Sequence, residues 1–292
     1  MYIDEGIRPV DAVPASCRST KPRPAYRQRL AKLVGATGVV AILIFLMLPT
    51  LIIVPMSISD TAYLRFPPEG MTLRWYSEYF FDADWMASTW FSLKIALATS
   101  IAATVVGTMT ALAIARGDLP FKGAVQAMAL GPMIVPHVVL GVALYLVFSP
   151  LHLTGTFTGF LIAHTVLSVP FVVITVTAAL QRLDPALELA ALNCGATRVQ
   201  AFGLVTAPNI IPGIASGAVF AFLASFDEAT VAFFISEAGG KPIGRKMFED
   251  IDFNLTPIIA AASTVIVLAS LCLIGAAHFI SMKSRTKTKK GT

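Results

Sequence analysis

Residues 188–212 read ELAALNCGATRVQAFGLVTAPNIIP. The stretch lacks the roughly 20 consecutive apolar residues that a helix needs to cross a bilayer, yet it stands between two strongly apolar runs at 157–180 and 211–235. Its halves, PALELAALN and RVQAFGLVT, have helical composition, and Gly195 between them is free to take backbone angles that other residues avoid. Pro185 suits the first turn of the first short helix, and Pro208 and Pro212 are expected to restart the chain as the next span. The pattern predicts a helix–turn–helix lying outside the bilayer, with its alanines and Phe202 facing something other than lipid.

The rest of the composition sets the solvent. Hydrophobic residues make up 56% of the 292, charged residues 13%, and the mean hydropathy is +0.75. Water-soluble domains carry about 25% charged residues, so this chain is read as an all-α integral membrane protein. Apolar windows fall at 34–56, 91–115, 124–148, 157–180, 211–235 and 257–281, which predicts six transmembrane helices with both termini on one side. The first is read as an uncleaved signal anchor, because the Pro-rich basic tail before it is too long and polar for a signal peptide.

The basic residues set the orientation. The side holding the termini has 16 of the 22 lysines and arginines and the other side 6, so both termini and the 188–212 stretch are expected in the cytoplasm. The net charge of +5 thus reflects membrane orientation and lipid affinity, including that of the KSRTKTKK tail, rather than nucleic-acid binding. On the opposite face the segment 57–90 contains MTLRWYSEYFFDADW. It is read as an interfacial helix anchoring the second span, with its aromatic rings at headgroup depth, in preference to a partner-docking surface.

The spacing of Ala190-Ala191, Gly195-Ala196, Phe202, Pro208 and Pro212 resembles the EAA loop of permease subunits of ABC importers, which couples the permease to its ATPase. The Glu of the family's Glu-Ala-Ala is replaced by Leu189, with Glu188 one residue earlier, and the Leu of its Leu-Pro by Ala207. YLRFPPEGMTLRWYSEYF, GPMIVPHVVLGVAL and SFDEATVAFFIS are similar to segments of permeases of the polyamine (spermidine/putrescine) type, so the resemblance covers most of 34–282. It implies a type I permease fold in a bacterial inner membrane: an N-terminal cytoplasmic tail (1–33), a six-helix domain (34–282) with a coupling loop (181–210), and a basic C-terminal tail (283–292). Glu188, Ala190, Ala191, Gly195, Ala196, Phe202 and Pro208 would then form the ATPase-coupling surface. The implied partners are a cytoplasmic ATPase dimer, a second permease subunit and an extracytoplasmic solute-binding protein. The sequence has no Gly-x4-Gly-Lys-Ser/Thr, GGKP at Gly239 being the nearest approach, so the ATPase site is expected on another chain. This subunit is read as a transporter rather than an enzyme, without a cofactor.

Cargo is addressed by the fifth span. Gly213, Gly217, Ala221, Ser225 and Ala229 recur at four-residue intervals, a ridge that lets a neighbouring helix approach closely. Asp227 and Glu228 follow about 20 Å above Pro212 at helical rise. Carboxylates at that depth would compensate a cationic cargo, most simply a polyamine; the alternative is a hydrated position near the outer interface, or a cap on helix packing. If helical, the two lie about 100° apart around the axis and do not line one narrow path equally.

Other polar residues point less sharply. His137, His152, His164 and His278 show no metal-ligand spacing and are read as packing or helix–helix hydrogen-bonding residues. Pro132, Pro136 and Pro170 are expected to bend the third and fourth spans. Cys17, Cys194 and Cys272 are too scattered for a disulfide framework. Permeation of another small organic solute remains open, and a secondary transporter would leave the cytoplasmic helix pair without a task. GIASG, around Ser216, fails the order of a nucleophile elbow.

Overall fold

The computed structural model describes the backbone of residues 25–237, 240–253 and 255–289, and side chains within 32–275. Cys17, Gly239 of GGKP, the His278 side chain and the basic side chains from 283 onward therefore lie outside the described residues. Among the described residues twelve α-helices follow in order: α1 (Ala25–Met56), α2 (Arg74–Phe81), α3 (Ala83–Arg116), α4 (Lys122–Ile134), α5 (His137–Phe148), α6 (Phe157–Arg182), α7 (Pro185–Asn193), α8 (Arg198–Ala201), α9 (Ala207–Phe226), α10 (Thr230–Ile235), α11 (Ile243–Phe253) and α12 (Ile258–Lys289). Among the described residues five stretches are long and apolar enough to cross a membrane: Lys32–Met56, Ala83–Arg116, Phe157–Arg182, Arg198–Phe226 and Ile258–Gly275. A sixth arises if α4 and α5 count as one. The backbone of α12 stays helical to Lys289, through much of the segment expected as a tail.

Helices α3, α6 and α9 form the centre, and the small-residue ridge brings them together. Gly217 is buried against α6, where a Cβ would lie 2.6 Å from Thr175 Oγ1 and 3.1 Å from Val172 Cα, so any larger residue would push the helices apart. Two turns further on, Ser225 Oγ meets His164 Nδ1 at 2.9 Å. Ser100 Oγ on α3 donates to the Ala218 carbonyl at 2.8 Å. Polar side chains thus bond across helices where lipid offers no partner.

Two spans differ from expectation. The third bends as its prolines predict, but so sharply that it is two helices, α4 and α5, meeting at 104°. Val135, held extended at φ −73°, ψ 130° by the following Pro136, ends α4, because proline disfavours helical geometry in the residue before it. Pro170, by contrast, lies buried inside a continuous α6. The fifth span neither restarts at Pro208 nor runs to 235. A π-helical segment, Phe202–Thr206, joins α8 to α9, and the Ala207 N–H donates to the Phe202 carbonyl. This wider turn carries the chain into Pro208 and past Pro212 without a break. The span then stops at Phe226, three residues short of α10.

The aromatic segment before α3 is also only partly at a surface. Trp75, Tyr79 and Trp85 are buried in a cluster with Ile243, Ile258 and Ile259, while Phe80 and Phe81 stay exposed. Trp75 Nε1 donates to the Ser59 carbonyl at 2.8 Å, so the indole is satisfied inside the protein rather than by headgroups. Asp82 caps α3, accepting from the Asp84 and Trp85 amides at 2.9 Å.

Candidate functional site

The 181–210 loop is built as its residue types demand. Asp184 Oδ1 accepts from the Ala186 amide at 2.9 Å and starts α7, with Pro185 in its first turn. Gly195 turns the chain at φ +90°, in the left-handed region, and the Ala196 amide returns to the Ala191 carbonyl at 3.1 Å. Thr197 and Gln200 then form a reciprocal capping box for α8.

Among the expected coupling residues, Ala190, Gly195, Phe202 and Pro208 are exposed, whereas Ala191 and Ala196 are half-buried. Leu187, Leu189, Val199 and Leu204 add exposed apolar surface beside them. Glu188 points inward: its Oε1 accepts from Thr206 Oγ1 at 2.6 Å and lies 3.4 Å from Arg116 Nε. Arg116 ends α3 and also reaches the Leu183 carbonyl at 3.4 Å. These groups border a cleft of about 580 Å³ that also takes in Asp118, Arg198 and Phe202. Arg116 and Thr206 are the residues that sequence reasoning missed; the basic end of α3 was visible, but not its partner.

A second site lies within the spans. A cavity of about 760 Å³ is bordered by the α4–α5 elbow, by the α9–α10 break and by α12. Phe171, Phe220, Phe226 and Phe248 form much of its wall. Both predicted carboxylates line it, but they differ. Glu228 is buried, its Oε1 accepting from the Val231 amide at 2.9 Å and its Oε2 lying 2.9 Å from His137 Nδ1. Asp227, which closes α9, is exposed. Among the described residues its carboxylate has no side-chain hydrogen bond or ion pair. Asp227 also borders a smaller cavity of about 280 Å³ under α11, next to Gly244 and Met247. Because the helix ends at Phe226, the two carboxylates are not fixed 100° apart, and both reach one space. Of the other histidines, His164 makes a helix–helix hydrogen bond as expected, whereas His137 belongs to the cavity. No group of three or more His, Cys, Asp or Glu among the described residues is arranged to hold a metal.

Outside the spans, α11 is tied down by charge. Lys246 Nζ lies 2.9 Å from Asp84 and 3.1 Å from Asp250, and Glu249 pairs with Lys241 at 2.8 Å and Arg245 at 3.0 Å. Burial pushes the Glu249 carboxyl up, but the Lys241 hydrogen bond and the charges of Lys241 and Arg245 outweigh it and leave the carboxyl below its ordinary value.

Residues 103–282 match the family described as "Binding-protein-dependent transport system inner membrane component". The chain is 31% identical over 228 residues to the putrescine transport system permease protein PotI of Escherichia coli (strain K12), covering 76% of this chain and 80% of that one. It is 27% identical over 240 residues to the spermidine/putrescine transport system permease protein PotC of Haemophilus influenzae, covering 82% and 93%. In fold it is similar to a chain of a bacterial ABC transporter involved in the import of the acidic polysaccharide alginate, with a TM-score of 0.67 at 16% identity over 90% of this chain and 99% of that one. The match over more than half its length, on an all-helical membrane architecture, means that this chain belongs to the family of binding-protein-dependent transport system inner membrane components.

Proposed function

We propose that this chain forms the membrane pathway for a small organic cation, a polyamine such as putrescine or spermidine, in an ATP-driven importer. The observation that carries the cargo charge is Asp227, a carboxylate without a side-chain partner among the described residues, on a cavity walled largely by apolar and aromatic groups. An anion there would meet repulsion strengthened by the low dielectric, and a cation attraction. The names of the PotI and PotC relatives point to the same class of cargo.

In this reading the 181–210 loop docks on a cytoplasmic ATPase dimer. A second permease subunit completes the pathway, and a solute-binding protein delivers cargo from outside. Both termini are cytoplasmic, with 1–33 and 283–292 as tails to the 34–282 permease domain. ATP hydrolysis belongs to the partner, and its movement passes through α7 and α8 into α9, which alternately opens the cavity to either side. The coupling comes from contacts that differ between the two states.

The test is uptake of labelled putrescine, spermidine and a dicarboxylate of similar size, in cells with and without the chain and with Asp227→Asn. Chain-dependent, ATP-dependent uptake of the cations is expected, falling at least about tenfold in the variant, the equivalent of about 1.4 kcal/mol. Uptake of the dicarboxylate in place of the amines, or wild-type cation uptake by Asp227→Asn, overturns the reading. Uptake that persists without ATP points to a secondary transporter.

A further inference from the structure

The single contact between His137 and Glu228 joins two interruptions of different spans. His137 is the first residue of α5, directly after the elbow, and Glu228 lies in the gap between α9 and α10. Their side chains meet at 2.9 Å with the carboxylate 7% exposed and the imidazole 47% exposed. The helices behind them are close-packed: the Phe234 ring of α10 fills the space beside Gly141 of α5, where a Cβ would lie 2.5 Å from it. Against a carboxylate oxygen an imidazole nitrogen can serve only as donor when the carboxylate is ionised, because the latter only accepts hydrogen bonds. Of the four lone-pair positions on Glu228, one is taken by a backbone amide and one by His137. The other charged group on the cavity wall is Asp227. On the packed elements, His164 of α6 is engaged with Ser225, and Arg245, Lys246, Glu249 and Asp250 of α11 are paired within their own network.

We propose that His137 is a specificity-determining residue: its imidazole N–H is the resident donor on Glu228, which the cargo's ammonium group must displace to be passed inward. The proposal rests on the cationic-cargo reading above. A primary ammonium carries three N–H donors and a charge, so it reproduces what His137 supplies and exceeds a neutral imidazole. A neutral or anionic solute offers nothing that repays the loss of that hydrogen bond. The displaced imidazole is half-exposed to the cavity and has space to turn aside. The elbow and the α9–α10 break then lose their side-chain tie at the moment cargo arrives.

The test is the initial rate of uptake of labelled putrescine and of its neutral analogue N,N′-diacetylputrescine in cells carrying the wild-type chain, His137→Ala or His137→Gln, with the same binding protein and ATPase and membrane levels measured. Because those partners are shared, a change in the ratio of the two rates reports the permease. His137→Ala, which removes the donor, should lower the preference for putrescine at least about threefold, and His137→Gln, which keeps a donor, should hold it. A His137→Ala chain present at wild-type level with the wild-type preference overturns the assignment of His137 while leaving the cargo reading standing. Absence of cation uptake by the wild-type chain overturns the cargo reading, and this inference with it.

Discussion

The Glu188 carboxylate, two residues ahead of the Ala190-Ala191 pair, is held 3.4 Å from Nε of Arg116, the last residue of α3. Each side chain is about three-quarters buried, at 24% and 29% exposure. If the loop couples as proposed, a movement imposed on α7 would pass to α3 through this charged contact, shielded from most of the solvent, and toward α9 through Thr206. Reversing either charge, as Arg116→Glu or Glu188→Arg, places like charges together and should lower uptake by about tenfold or more. The double exchange should restore part of it. Uptake rates for the two single variants and the double variant, at matched membrane levels, check this: equal loss in all three would mean that the pair carries no coupling.

The turn at Gly195 is open in space but strained in conformation. Nothing lies within 4 Å of a Cβ placed there, yet its φ is +90°. Gly195→Val should therefore cost about 1–2 kcal/mol through backbone geometry alone, and redirect α8. Insertion should survive and uptake fail. Gly195→Asn, which visits left-handed geometry more readily, should retain more activity than the valine variant in the same uptake measurement.

Gly217 is the converse case, where space rather than conformation decides. Its Cβ would meet the backbone of Val172 as well as Thr175. Gly217→Leu should destabilise the α6–α9 contact by about 1–3 kcal/mol or more, read as a lower melting temperature in detergent. Ser216→Leu, one residue away and exposed, should leave the melting temperature nearly unchanged.

Acid should loosen α11. With the Glu249 carboxyl below its ordinary value in the folded protein, its contribution is present above the ordinary glutamate range and is lost as pH falls through the lowered folded value. Partial exposure of the pair limits the effect to about 1 kcal/mol or less. Melting temperatures of the purified protein between pH 3 and 7 should fall toward the acid end, and Glu249→Gln should flatten the part of that fall due to this group.

Orientation is tested by labelling. In a cysteine-free chain, a cysteine at Ser77, exposed on α2, should react from outside the cell, and one at Ser284 only after permeabilisation. Reaction of both from outside would remove the cytoplasmic docking loop.

Much of this protein was legible in its residues. Apolar length marked six windows, because hydropathy is a local sum along the chain; among the described residues five hold a single candidate span and the sixth a bent pair. The loop's turn was readable from Gly195 because the left-handed region selects for glycine whatever surrounds it. The ridge of Gly213, Gly217, Ala221 and Ser225 was readable because helical spacing alone places those residues on one face. The bend at Pro136 was readable from the proline; its sharpness, and the interruption after Phe226, belong to tertiary structure. A break inside a bilayer survives only where other parts of the chain satisfy the freed backbone and polar groups, and those partners are remote in sequence. Glu228 was expected to answer to cargo; that His137, from another span, lies 2.9 Å from it was not legible. Glu188 was placed on a docking surface, but Arg116 and Thr206 turn it inward. Residue type and spacing show that a carboxylate is present at a given depth; only the packing of distant helices decides which partner neutralises it, and so which carboxylate faces the cavity without one.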